Sequence, residues 1–338
     1  MIRVDEITRE YRQWKRYAGL MGSIRGLFSR EYTTINAVNQ VSFTIDQGEA
    51  VGYIGPNGAG KSTMIKMLTG ILVPTAGELT VNNLIPHMNR KEIAKHIGIV
   101  FGQRSQLWWD LPVSDSFELH KRIYHVSDEA YRKNMDIFME LLNLKAFISQ
   151  PVRQLSLGQR MRAEIGLALL HDPEIIFLDE PTIGLDVVAK DSIRSFLKYI
   201  NKERNATIFL TSHDLKDIEE ICPRLLIVNQ GKLIFDGAVR DFKANISSGK
   251  LLTIEFQFDP GTLEFEDAIL IADEGARKMY KIEKGLSFIN TFIGRISEKY
   301  IITDFSLQDY DIEQVIRMYY QGLESESDLQ GDLSKVVS

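Results

Sequence analysis

The chain has 338 residues, 44% hydrophobic and 25% charged, the balance of a globular protein with room for two domains. A net charge of -6 counts against a nucleic-acid binder, whose phosphate-facing surface must be basic. Cys222 is the single cysteine, which rules out an intramolecular disulfide or a cysteine-cluster metal site. Residues 1–6 lack the apolar core of a signal peptide, and no uninterrupted apolar run is long enough to span a bilayer. A membrane role would therefore come through a partner.

In chain order, residues 2–7 read as an opening strand. A basic-aromatic stretch follows, in which Arg9, Arg12, Lys15 and Arg16 interleave with Tyr11, Trp14 and Tyr17. Two readings stand for it: a face for an anionic membrane or a membrane protein, or a solvated insertion with one aromatic packed inward. Residues 41–45 read as a strand and 50–54 as a short buried one. Gly55-Pro56-Asn57-Gly58-Ala59-Gly60-Lys61-Ser62 then fits the P-loop spacing, and residues 63–68 leave it as a helix. Glycines let successive amides turn toward phosphate oxygens, and the helix N-terminus adds its dipole. In that pattern Lys61 reaches the β- and γ-phosphates and the Ser62 hydroxyl ligates Mg²⁺. The plainer reading is a glycine-rich turn with a surface lysine, so the rest of the chain has to decide.

Residues 74–77 form a turn and 78–81 an edge strand. Residues 97–101 are a β-rich run ending at Gly102-Gln103, a polar residue at the carboxyl edge of the sheet, where open α/β folds bind ligands. In Leu107-Trp108-Trp109-Asp110-Leu111-Pro112 the adjacent tryptophans cannot both face one core. Either one anchors a partner or the loop packs on itself. Residues 114–144 show helical periodicity through Phe117, Ile123, Tyr131, Ile137, Leu141 and Leu142, with a helix start at Ser127-Asp128-Glu129. Leu155-Ser156-Leu157-Gly158-Gln159 opens an apolar helix that Asp172-Pro173 stops.

Residues 175–178 read as a strand buried on both faces, with Asp179-Glu180 directly after it. Two acids at the end of a buried strand are costly unless they hold a cation or do chemistry. A helix to about residue 201 follows. A second buried strand at 207–211 ends in Ser212-His213-Asp214. His213 by itself reads as a hydrogen-bonded core or surface histidine; opposite a P-loop and an acidic pair, the functional role is favoured. Residues 225–228 and 232–235 make a hairpin. Beyond 245 come a strand at 251–258, an acidic turn region at 261–267, a helix at 288–296, a strand at 300–305 and a helix at 311–320. These make a small α+β domain, and the Ser-, Glu- and Asp-rich tail from 324 reads as disordered.

Gly55 to Ser62, Gln103, Leu155 to Gln159, Asp179-Glu180, Asp186 and His213, in this order and placement, resemble the nucleotide-binding subunit of an ABC transporter over about the first 240 residues. The fold this implies is α/β, a P-loop NTPase with a RecA-like parallel core, an antiparallel β subdomain and an inserted helical subdomain at about 105–170. The nucleotide-binding domain would span 1–243, the α+β domain 244–323 and the tail 324–338. The resemblance implies that Gly55, Asn57, Gly58, Ala59, Gly60, Lys61, Ser62 and Thr63 bind ATP, with Tyr11 (or Tyr17) stacked on adenine. Ser62 and Gln103 would ligate Mg²⁺, with Asp179 behind them. Glu180 would be the general base, and His213 would contact both the γ-phosphate and Glu180. Ser156, Leu157, Gly158 and Gln159 would meet the ATP held by the opposite protomer, and Asp186 would link the two subunits. Leu157 stands where the commonest signature has glycine, and Ile183-Gly184 where the family usually has Ser-Ala.

The stretch 102–112, the basic-aromatic segment and the C-terminal domain look like the ABC-2 exporter group. That implies a homodimeric ATPase on the cytoplasmic face of the membrane, peripheral through a separate permease, with no nucleic acid. The alternative is a soluble ABC ATPase acting on ribosomes or DNA, against which stand the single cassette, the lack of heptads and the acidic charge.

Overall fold

The computed structural model describes residues 1–14, 32–102, 104–212, 214–246, 250–263, 265, 268–282 and 286–309. Tyr17, Gln103, His213, the helix expected at 311–320 and the tail from 324 lie outside the described residues. In chain order the elements are β1 (Ile2–Trp14), β2 (Tyr32–Ile45), β3 (Ala50–Ile54), α1 (Lys61–Leu68), β4 (Ala76–Val81), α2 (Arg90–His96) and β5 (Ile97–Phe101). Then come α3 (Val113–Ile123), α4 (Asp128–Leu141), α5 (Leu157–Ala168), β6 (Ile175–Asp179), α6 (Val187–Arg204), β7 (Thr207–Thr211) and α7 (Leu215–Ile221). The remainder are β8 (Arg224–Asn229), β9 (Lys232–Ala238), α8 (Val239–Ile246), β10 (Lys250–Phe256), β11 (Ile269–Glu274), β12 (Arg277–Ile282), α9 (Leu286–Ser297) and β13 (Ile302–Asp309). The chain divides into two compact units, Met1–Val239 and Arg240–Ser338.

The first unit is built on a six-stranded sheet ordered β5-β6-β7-β3-β8-β9. The first five run parallel and β9 returns antiparallel. All five residues of β3 and β7 are buried, as are the first four of β6. Such unbroken apolar runs belong to strands covered on both faces, which is how helical crossovers leave a parallel sheet. A three-stranded antiparallel sheet, β2-β1-β4, shares its core. Phe43 on β2 lies 6.2 Å from the Phe209 ring on β7, and Tyr53 on β3 lies 5.1 Å from it.

The described strands outrun the sequence expectation. The part of the basic-aromatic stretch up to Trp14 is a continuation of β1, paired from Arg9↔Val38 to Trp14↔Tyr32. Arginine faces hold this ribbon: Arg9 lies 4.9 Å over Tyr11 and donates to the Val73 carbonyl at 2.9 Å, and Arg12 lies 4.9 Å over Tyr32. Residues 114–144 hold two helices, α3 and α4, the second beginning at the helix start expected at Ser127-Asp128-Glu129. His125 turns left-handed (φ 53°), and the Ser127 hydroxyl then caps α4 by accepting the Ala130 N–H at 3.2 Å. Phe138 of α4 meets Phe196 of α6 edge-on at 5.7 Å, which seats the helical insertion on the main body.

The second unit has a four-stranded antiparallel sheet, β11-β12-β10-β13, with Ile289, Phe292 and Ile296 of α9 packed among Leu252, Ile254, Tyr280 and Ile282. The hairpin of β11 and β12 was not expected from sequence. β11 is an edge strand with no fully buried residue, so nothing imposes an apolar alternation on it. In β12 the buried Lys278 takes an inward position by pairing with Asp273 at 2.5 Å and Asp259 at 3.3 Å.

Candidate nucleotide site

The loop that follows β3 turns into α1 through Gly60, whose φ of 100° is left-handed and favours glycine. Lys61 opens that helix and is 6% exposed. Its Nζ donates to the carbonyls of Gly55 at 2.8 Å and Pro56 at 3.4 Å, so the lysine curls back over its own loop. Burial pushes its pKa down, while Glu180 and Asp179 hold it up.

Strand register brings the acids to the same edge. Phe101, Asp179 and Thr211 are successive partners across β5, β6 and β7. The Thr211 hydroxyl donates to Asp179 Oδ1 at 2.8 Å and accepts the Glu180 N–H at 3.1 Å. One side chain on the neighbouring strand thus sets both acids. Glu180 Oε1 stands 3.9 Å from Lys61 Nζ. Ser62, Lys66, Gly102, Asp179, Glu180 and Ile183 line a cleft of about 600 Å³ at this edge.

Ser156 is the N-cap of α5 in a complete capping box. Its hydroxyl accepts the Gln159 N–H at 3.2 Å, and Gln159 Oε1 accepts the Ser156 N–H at 2.9 Å. Asp186 caps α6 by accepting the Ala189 N–H at 2.8 Å. The two helix starts touch at Gly158, where an added Cβ would lie 2.9 Å from the Ala189 Cβ. Residues 156–159 are not part of the cleft wall. Around them Leu157, Ile183, Val187 and Val188 are all exposed, an apolar patch beside two helix N-termini. Tyr11 sits on β1 opposite Ile35 and is also absent from the cleft wall, with one ring face under Arg9.

Residues with no sequence motif complete the edge. Asp217 of α7 is fully buried and accepts from Arg194 Nε at 2.7 Å, Ser212 Oγ at 2.9 Å and the Thr182 hydroxyl. It thereby ties the turn after Glu180 to the end of β7 and to α6. Thr211 and Asp217 went unread because their roles arise from pairing across strands; the signal available for Thr211 was its place as the last residue of a buried strand.

The ABC transporter family model matches residues 38–183. Over 212 residues the chain is 30% identical to the ABC transporter ATP-binding protein NatA of Bacillus subtilis (strain 168), covering 63% of this chain and 86% of that one. The chain belongs to the ABC transporter family. This ABC ATPase is also similar to the bacitracin transport ATP-binding protein BcrA of Bacillus licheniformis, 28% identical over 304 residues, or 85% of this chain and 95% of that one. A solved dimer of the ATP-binding cassette MJ0796 in a post-hydrolysis state with ADP and Pi matches with a TM-score of 0.59 at 28% identity. That match covers 71% of this chain and 99% of the other. The chain is accordingly an ATP-binding, ATP-hydrolysing transporter subunit with the P-loop NTPase fold expected from its sequence. The ribosome or nucleic-acid alternative finds no support in these matches. Among the described residues, no helix is long and apolar enough to cross a membrane.

Proposed function

We propose that this ATPase dimerises with a second copy around ATP and drives a separate permease of the ABC-2 type, moving cargo outward from the cytoplasmic face of the membrane. The observation that carries the site reading is the Lys61–Glu180 pair, 3.9 Å apart, whose acid lines the cleft. Glu180 is there to take a proton from the attacking water, and Lys61 to meet the γ-phosphate charge. Ser62 and Asp179 bring only oxygen donors to the same cleft, the donor class that suits a hard cation. Among the described residues no cluster of three or more His, Cys, Asp or Glu could hold a metal. A P-loop hydroxyl and an acid at the strand end, here Ser62 and Asp179, would hold Mg²⁺ together with the substrate phosphates and water. When bound, Mg²⁺ would neutralise charge on the β- and γ-phosphates. Gln103 and His213 complete the assignment by resemblance, and Tyr11 by turning the ring face away from Arg9 toward adenine.

Completion of the site by a second copy is supported by the position of residues 156–159, outside the cleft and within an exposed apolar patch. The N-terminus of α5 offers backbone N–H groups to a partner's γ-phosphate. The name BcrA, a protein matched along 85% of this chain, supports the transport assignment. Glu180→Gln is the test. Turnover should fall by about 10²-fold or more while ATP holds a dimer on size-exclusion chromatography with light scattering. Undiminished turnover would refute the assigned base.

A further inference from the structure

Glu164 lies on α5, two turns beyond the Ser156 cap, and is 3% exposed. Its carboxylate accepts the Gln106 N–H at 3.0 Å on each oxygen, the Leu107 N–H at 3.4 Å, and the Ser105 hydroxyl. A buried carboxylate is costly, and an apolar residue would fill the same space without desolvating a charge. Burial pushes the Glu164 pKa up, and a converging set of donors from a single loop opposes that push. That loop is fastened elsewhere too. The Trp108 N–H donates to the buried Ser116 hydroxyl at 3.0 Å, and Gln106 Nε2 donates to the Ile99 carbonyl of β5 at 2.7 Å. The Arg153 N–H reaches the Trp109 carbonyl at 3.0 Å, and the Val152 N–H reaches the Leu111 carbonyl at 3.1 Å. Residues 152–153 lead directly into the Ser156 cap. The loop is therefore held to both ends of one piece of chain, the approach to α5 and the middle of α5. On its outer side Trp108 and Trp109 are each 54% exposed.

We propose that Glu164 is a positioning residue of the ATPase cycle, which locks residues 105–107 to the signature helix so that the Trp108–Trp109 pair and Ser156–Gly158 move as one body. This rests on the reading of Ser156 and Gly158 as the groups that meet a partner's ATP. Engagement of that ATP pulls on the N-terminus of α5. The carboxylate passes the displacement to the tryptophans, and through Gln106 to Ile99 in the middle of β5, two residues before Phe101 in the cleft wall.

The experiment uses the full chain carrying Glu180→Gln to arrest hydrolysis and Trp14→Phe, so that Trp108 and Trp109 are the emitting tryptophans. Addition of Mg-ATP should shift their emission as the dimer forms. With Glu164→Gln added, the dimer should still form at the same ATP concentration within about twofold, while the emission response falls below about a third. On the Glu180 parent, Glu164→Gln should lower kcat by about five- to twentyfold with KM within twofold. The response per dimer separates positioning from loss of stability, because a smaller active fraction lowers apparent kcat at unchanged KM but leaves the emission change per dimer as it was. Ser105→Ala, at an exposed position, removes one donor and should give a smaller loss in the same direction if Glu164→Gln does not fold. No emission change in the parent, or an unchanged response and kcat in both variants, would overturn the proposal. Ser156→Arg separates the two readings. If it leaves ATP-driven dimerisation intact, the signature reading fails; if it abolishes the dimer while Glu164→Gln changes nothing, only the Glu164 proposal fails.

Discussion

Glu180 follows β6 in a left-handed backbone conformation, φ 56°, which costs a non-glycine residue about 1–2 kcal/mol. Its N–H is held by the carbonyl and the hydroxyl of Thr211, both at 3.1 Å, and these bonds offset the strain. The strained residue is the one assigned as base, where a fixed carboxylate direction is worth most. Gly184 is the second left-handed position in this turn, φ 72°, and a Cβ there would lie 3.3 Å from Leu157 Cδ2. The two places where the chain departs from the commonest family residues are thus neighbours in space. Leu157 is 40% exposed and can swing aside, so the backbone term should dominate. Gly184→Ala should cost about 1–2 kcal/mol by urea unfolding, and the cost should be nearly the same with Leu157→Gly present. A coupling above about 1 kcal/mol between the two would show that the side-chain contact, not φ, selects glycine.

At the scale of elements, Lys61, Ser156, Asp179 and Asp186 could be placed from sequence because each sits at the end of a strand or the start of a helix, where sequence signals are strongest. The capping box at Ser156 and the buried run before Asp179 could be read directly. What lay between helices was less readable. His171 follows α5 and stacks on Tyr124 of the turn after α3, with ring centroids 4.0 Å apart. Its Nε2 donates to the Ile97 carbonyl at 3.1 Å, and among the described residues its buried Nδ1 has no partner. Burial pulls its pKa down to about 4, with His120 and His96 pushing the same way and the Ile97 bond and Asp172 opposing. The folded pKa lies below the unfolded value of 6.5, so the unfolded chain takes up the proton first on acidification. Stability from this group is full above about 6.5 and is lost as pH falls toward about 4. Between pH 7 and pH 5 the loss should be on the order of 2 kcal/mol. His171→Leu should flatten that part of the urea-midpoint profile, whatever it does to stability at pH 7. An unchanged slope would mean that the ring has the same pKa in the folded and the unfolded chain.

At the scale of the whole molecule, the ATPase unit presents two surfaces of different character. One is the apolar patch of Leu157, Ile183, Val187 and Val188 beside the helix starts; the other is the Trp108–Trp109 loop on the helical insertion. The first suits a second copy, since it surrounds the Ser156 cap, which lies outside the cleft wall, while Ile183 reaches into that wall. The second suits the permease, because half-exposed tryptophans on a hydrogen-bonded platform are typical anchors. Trp108→Ala with Trp109→Ala should reduce co-purification of the permease from native membranes in mild detergent by tenfold or more, a larger loss than that of solution ATPase activity. Equal loss of both would count against the anchor role.

The sequence by itself determined the P-loop, the acidic pair, the signature and the family they belong to, because each is a local pattern whose chemistry needs fixed neighbours along the chain. It also determined the buried strands, whose unbroken apolar runs admit few other environments. Tertiary structure alone decided that Thr211 sets both acids and that Asp217 fastens the turn behind them. It also placed Glu164 beneath the tryptophan loop and carried β1 on to Trp14 instead of ending it at residue 7. These features depend on strand register and on donors brought together from distant parts of the chain. A single polar residue inside an apolar run carries no local sign of the partner that will satisfy it.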